Sequence, residues 1–173
     1  MNDSIALRAR NNRRPVLATL GLLLALAWAL PGLVMAQGGA ADQPQLVQVV
    51  KSNKSFPETL KVFQEEVVKA GWSVLNVNNM AGVLSERGFT LDPVVILDVC
   101  SGKYSARILG NDDYRPISAF MPCRVSIYQT SGGEVFIARM NTGAFVDMMP
   151  PEVAEIMSAS DDEIEGIIAR TVR

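Results

Sequence analysis

The stretch Met121–Met140, "MPCRVSIYQTSGGEVFIARM", decides how the rest of the chain reads. Cys123, Val125 and Ile127 alternate with Arg124 and Ser126. A period of two marks a strand with one face on a core, so Cys123 is expected on the core side and Arg124 on the opposite face. Ser131-Gly132-Gly133 is turn chemistry, and Glu134–Met140 then returns as the second strand of a hairpin. Arg139 falls among apolar residues of that strand and must be either exposed or paired.

Working outward, the run Pro93–Val99, "PVVILDV", is almost unbroken in its apolarity and suits a strand that is central or buried on both sides. Leu46–Lys51 and Trp72–Val77 supply two more strands. Between them Phe56, Leu60, Phe63, Val67 and Ala70 recur at helical spacing, with Lys61, Glu65 and Lys69 turned to water. Ser55 caps that helix, Glu58 follows at capping-box spacing, and Gly71 stops it. Met80–Arg87 reads as a short helix or turn, and Lys103–Leu109 as a short helix closed by Gly110. Asn111–Met121 reads as a loop or irregular segment. Pro150–Ser158 and Asp161–Thr171 read as two closing helices, the second capped by Ser160 with Glu163. The acids Asp161, Asp162, Glu163 and Glu165 suit a helix N-terminus. Hairpin connections with a few helices predict an α+β fold: an antiparallel sheet of about five strands with helices packed on one face.

The first 36 residues stand apart. Arg8, Arg10, Arg13 and Arg14 precede an apolar run from Val16 to Met35, and Val34-Met35-Ala36 offers a small-residue cleavage site. Residues 1–36 therefore read as a signal peptide, with a mature chain from Gln37 in the periplasm. The alternative is an uncleaved anchor in the inner membrane, since the run is just long enough to span a bilayer. Residues 37–45 form a Gly/Ala/Gln-rich linker, and residues 46–173 form one domain. Without residues 1–36 the chain carries 12 basic and 17 acidic side chains, a net charge of −5. That argues against nucleic acid as a partner and against an electrostatic grip on lipid, leaving the N-terminal segment as the only membrane link.

The chain has no histidine. This removes Ser-His-Asp and Cys-His catalysis in their usual form, and histidine-based zinc and copper sites. What remains distinctive is the pair Cys100 and Cys123, the only two cysteines. If their strands pair antiparallel, both thiols lie at one end of the sheet. Cross-strand Cα atoms there are roughly 4.5–5.5 Å apart, close to what a disulfide needs. Three readings follow. A structural disulfide in an exported chain would contribute roughly 3 kcal/mol. A redox or persulfide-carrying pair would use a thiolate favoured by Lys103 or Arg124. A ligand site would combine both thiolates with the Met121 thioether around a soft ion such as Cu(I). Otherwise no cofactor is implied. "DMMPPEVAEIM", Asp147–Met157, is apolar and suits either a homodimer contact or packing on its own sheet.

"GWSVLNV", "VVILDVCSGKYSARIL", "MPCRVSIYQTSGGEVFIARMNTG" and "EVAEIM" resemble, in this order, the domain-of-unknown-function family DUF302. The resemblance covers roughly Val47 to Val172. Its most specific parts are Cys100 with Lys103-Tyr104, Pro122-Cys123-Arg124-Val125, and Asn141-Thr142. It implies a compact α+β fold, often dimeric, with no assigned reaction, and it places the chain in an exported two-cysteine subgroup. Many members carry a histidine after the second strand; Asn78-Asn79 stands there in this chain. The expectation is a non-enzymatic binding or accessory protein. Its small ligand or protein partner would sit near Cys100 and Cys123, with Lys103, Tyr104, Met121 and Arg124 as contacts. The competing expectation is a thiol-based redox or sulfur-transfer protein working through the same two cysteines.

Overall fold

The computed structural model describes residues 45–173, so the expected signal peptide, residues 1–36, and nearly all of the expected linker lie outside the described residues. The elements run β1 (Val47–Ser52), α1 (Phe56–Lys69), β2 (Ser73–Asn79), α2 (Met80–Ser85), β3 (Val94–Cys100) and α3 (Gly102–Leu109). A 3-10 turn (Arg115–Phe120) leads to β4 (Cys123–Gln129) and β5 (Val135–Met140). A second 3-10 turn (Thr142–Met148) leads to α4 (Pro151–Thr171). The five strands form one antiparallel sheet in the order β1-β5-β4-β3-β2. β1 and β2 are the edges, and α1 carries the chain from one to the other.

Alternation decides which face is covered. Val95, Leu97 and Val99 of β3, Val125 and Ile127 of β4, and Val135 and Ile137 of β5 are buried. They meet Phe63 and Val67 of α1 and Ile164, Ile167 and Ile168 of α4 in one core. Each such side chain contributes about 1.5–3 kcal/mol by leaving water. Their neighbours in sequence, such as Ile96, Asp98, Ser126 and Ala138, stay half-exposed on the other face. The helices thus pack on one face of an α+β domain, and β3 is central but covered on one side. A smaller cluster of Ile108, Val153, Ile156 and Met157 joins α3 to the start of α4. "DMMPPEVAEIM" therefore packs largely within its own domain, although Met148 is exposed.

One detail of the capping differs from the sequence reading. Ser55 is the N-cap of α1, but its side chain makes no capping bond; Thr59 instead donates its hydroxyl to the Ser55 carbonyl at 2.9 Å. Gly71 (φ 78°) ends the α1 turn in the left-handed region, as its position suggests. The larger correction is α4. Ser160 does not open a second helix; it is buried in the middle of one 21-residue helix. Three of the four acids expected at a helix start, Asp161, Glu163 and Glu165, reach tertiary partners instead. Arg139 of β5, with 5% of its side chain exposed, forks onto Asp161 and also reaches Glu165 at 3.5 Å. The Thr142 hydroxyl donates to the same Asp161 carboxylate.

Candidate functional site

Sheet pairing brings the two cysteines to one end of the molecule. Val99 of β3 faces Cys123 of β4, so Cys100 lies one residue beyond that pair. Both cysteines are half-buried and both are free thiols. The expected disulfide is not formed. The register explains this: Cys123 is opposite Val99 rather than Cys100, and consecutive strand residues alternate faces. Cys100 turns to the helix that follows it, where its Sγ lies 2.9 Å from Ser105 Oγ.

The thiols share the wall of a small, partly open chamber of about 20 Å³. Val99, Ser101, Tyr104, Ser105 and Ile108 come from β3 and α3. Phe120, Met121 and Pro122 come from the segment before β4, and Met157 and Ser160 from α4. Burial pushes the Cys123 thiol above its ordinary value of 9.0. The neighbouring Ser160 hydroxyl opposes this, the Cys100 and Asp161 charges reinforce it, and Arg139 opposes it.

The cations named from sequence are engaged elsewhere. Lys103 Nζ lies 2.9 Å from Glu163 Oε2 and 4.6 Å above the Tyr104 ring. Tyr104 also meets Trp72 edge-on, with ring centroids 6.4 Å apart. Arg124 lies on the opposite face of the sheet, as the alternation predicted, with its Nε 3.1 Å from Asp98. Tyr104 and Met121 therefore line the thiol chamber, whereas Lys103 and Arg124 do not. Arg124 instead borders an open, mainly apolar groove of about 730 Å³ on the uncovered sheet face. Leu46, Val47, Ile96, Met140 and Phe145 also line it. Phe120, Met121 and Pro122 line both spaces and stand between groove and chamber.

Met157, Ser105 and Ser160 are chamber residues that the sequence reading missed. Met157 and Ser160 are three apart on one helix and so share a face. That signal was present but hidden by the assumed break between the closing helices. Among the described residues no group of three or more His, Cys, Asp or Glu could hold a metal. Asn79 accepts the Gly82 N–H at 3.0 Å and caps α2, so one of the two asparagines at the end of β2 serves the backbone.

A one-sided antiparallel sheet with a sulfur-walled chamber at its end defines a two-layer α+β domain. Residues 48–171 match the family model described as "Domain of unknown function DUF302", and the chain belongs to that family. It is similar to the crystal structure of an uncharacterized conserved DUF302 protein from Bacillus stearothermophilus, with 25% identity and a TM-score of 0.67. That match covers 75% of this chain and 99% of the other. Among curated proteins none matches the chain.

Proposed function

We propose that this DUF302 protein is an exported, non-enzymatic binding or accessory protein that works in the periplasm. It takes its ligand or partner at the Cys100–Cys123 end of the sheet. The observation that carries this reading is the convergence of two free thiols on one small chamber. Lys103 and Arg124, the neighbours that would activate a nucleophile, are held by Glu163 and Asp98. The basic, then apolar, N-terminal segment supports export, with Gln37 as the mature N-terminus.

The thiol-redox alternative needs a thiol that ionises easily. Burial moves Cys123 the other way, which favours binding over exchange chemistry.

The test is the intact mass of protein purified from the periplasm, under native conditions and after thiol alkylation with and without mild reduction. The expected result is an N-terminus at Gln37, two alkylatable thiols, and bound mass that Cys100→Ser and Cys123→Ser both lose. An uncleaved N-terminus would move the protein to the inner membrane, facing the periplasm. Serine variants that keep all bound mass would overturn the location of the site. Self-association as a homodimer is a separate part of the proposal, tested by sedimentation; a monomer at high concentration would remove it.

A further inference from the structure

We infer that Cys100, Cys123, Met121 and Met157 form a binding site for one soft monovalent metal ion, Cu(I). This rests on the reading that the cysteine end of the sheet is the binding end, and it names the ligand.

Size comes first. The chamber holds about 20 Å³. A single water needs roughly 10–15 Å³ by the same measure, whereas organic ligands occupy clefts of about 300–1,000 Å³. The chamber therefore admits a guest of one or two atoms. Donor chemistry comes next. Two cysteines and two methionines line this one space: Cys100 from the end of β3, Met121 and Cys123 across the start of β4, and Met157 from α4. No carboxylate and no imidazole lines it. Thioethers are poor ligands for zinc and hard cations but suit Cu(I), so the donor set selects a soft, low-charge ion. A sulfane sulfur on one cysteine would fit the volume, yet it would leave both thioethers without a role.

The surroundings fit a metal site as well. The Ser105 hydroxyl lies 2.9 Å from Cys100 Sγ, and Ser160 can donate to Cys123. These hydroxyls come from two different helices, α3 and α4, and would orient the two sulfurs. Met157 is 5% exposed and packed with Ile108, Val153 and Ile156, so its sulfur is held in place rather than free to swing. Binding is a ligand exchange without redox change. Each thiol releases its proton to solvent as its Cu–S bond forms, and Cu(I) stays Cu(I).

The experiment uses the reduced mature protein under anaerobic conditions, titrated with Cu(I) against a chromogenic Cu(I) chelator. The expected result is one Cu(I) withdrawn per chain, with protons released on binding and affinity rising with pH. Cys100→Ser and Cys123→Ser should lose binding. Met157→Leu conserves volume and should keep the thermal midpoint near that of the wild type, yet weaken Cu(I) binding by about tenfold or more. Ser105→Ala should weaken it in the same range. The assignment is overturned if the wild type leaves all Cu(I) with the chelator. It is also overturned if Met121→Leu and Met157→Leu both bind as tightly as wild type, because a bare dithiol then suffices. If Cu(I) fails while the serine variants still lose the bound mass of periplasmic protein, the metal assignment falls and the binding end stands. If both fail, both fall.

Discussion

Arg139 shows how one residue can be right in its chemistry and unplaceable from its neighbours. A cation on an apolar strand must be exposed or paired, and pairing is the outcome. Its partner Asp161 is 22 residues away on α4. With 5% of the Arg139 side chain and 11% of the Asp161 side chain exposed, the pair is well removed from water. Truncating Asp161 leaves Arg139 buried with only the longer Glu165 contact as a charged partner. Asp161→Ala should therefore cost about 3–5 kcal/mol, whereas Arg139→Met with Asp161→Leu should come out near neutral. Denaturant unfolding of both variants checks this, and equal losses would show that the charge pair is not what the site needs. The thiols carry a second prediction at this scale. In Cys100→Ser, alkylation of Cys123 should rise with pH to a midpoint above its ordinary 9.0, because burial disfavours the thiolate. A midpoint well below ~8.5 would restore the redox reading.

At the scale of elements, α4 separates what was legible from what was not. The strand periods on β3, β4 and β5 were legible, because alternation is local and repeats every two residues. They placed Cys123 on the core side and Arg124 on the other, as observed. The same logic put both cysteines at one end of the sheet. The closing helix was misread because Ser160 and four acids look like a helix start. Nothing local reveals that Asp161 answers Arg139, or that Ser160 lies buried beside a thiol. The missed residues Met157 and Ser160, the part of the chamber that α4 supplies, belong to that same error. Oxidation state was equally out of reach, since it turns on a one-residue offset in register. The continuity of α4 is testable at Asp162, which is exposed. After a break at Ser160, position 162 would lie in a first turn, where proline is tolerated. In one continuous helix Asp162→Pro removes a hydrogen bond and forces a clash, costing about 3 kcal/mol or more. Urea unfolding decides between the two, and a neutral result would favour two helices.

At the scale of the whole molecule, α4 is clamped to the rest of the domain by charge as well as by its apolar face. Arg170 reaches Glu66 of α1 at 2.6 Å, and Glu163 holds Lys103 of α3. These clamps set the pH range over which the fold is stable. Hydrogen bonds from Arg170, then Lys69, hold the Glu66 carboxyl below its ordinary 4.5. Burial pushes Glu163 up, but its ion pair and hydrogen bond with Lys103 lead the opposing effects and leave the carboxyl below 4.5. A carboxylate lowered by folding stabilises the fold above 4.5, and that stability is lost as pH falls through the lower native values. The alkaline side has the opposite sign. Hydrogen bonding to Glu163 raises Lys103 above its ordinary 10.5, and burial raises Cys123 above 9.0. Both groups keep their protons longer in the folded chain, so their stabilisation is complete at neutral pH. It declines once the unfolded chain deprotonates, first at the thiol near 9.0 and then at the amine. Metal-free protein unfolded in urea across the pH range should show a plateau with two falling flanks. Glu163→Gln should shrink the acid flank and, by releasing Lys103, the most alkaline part of the other. Cys123→Ala should leave the acid flank untouched and remove the decline that begins near 9.0. A Cys123→Ala profile parallel to wild type above 9.0 would mean that the thiol titrates alike in folded and unfolded chains, and that the chamber does not shield it.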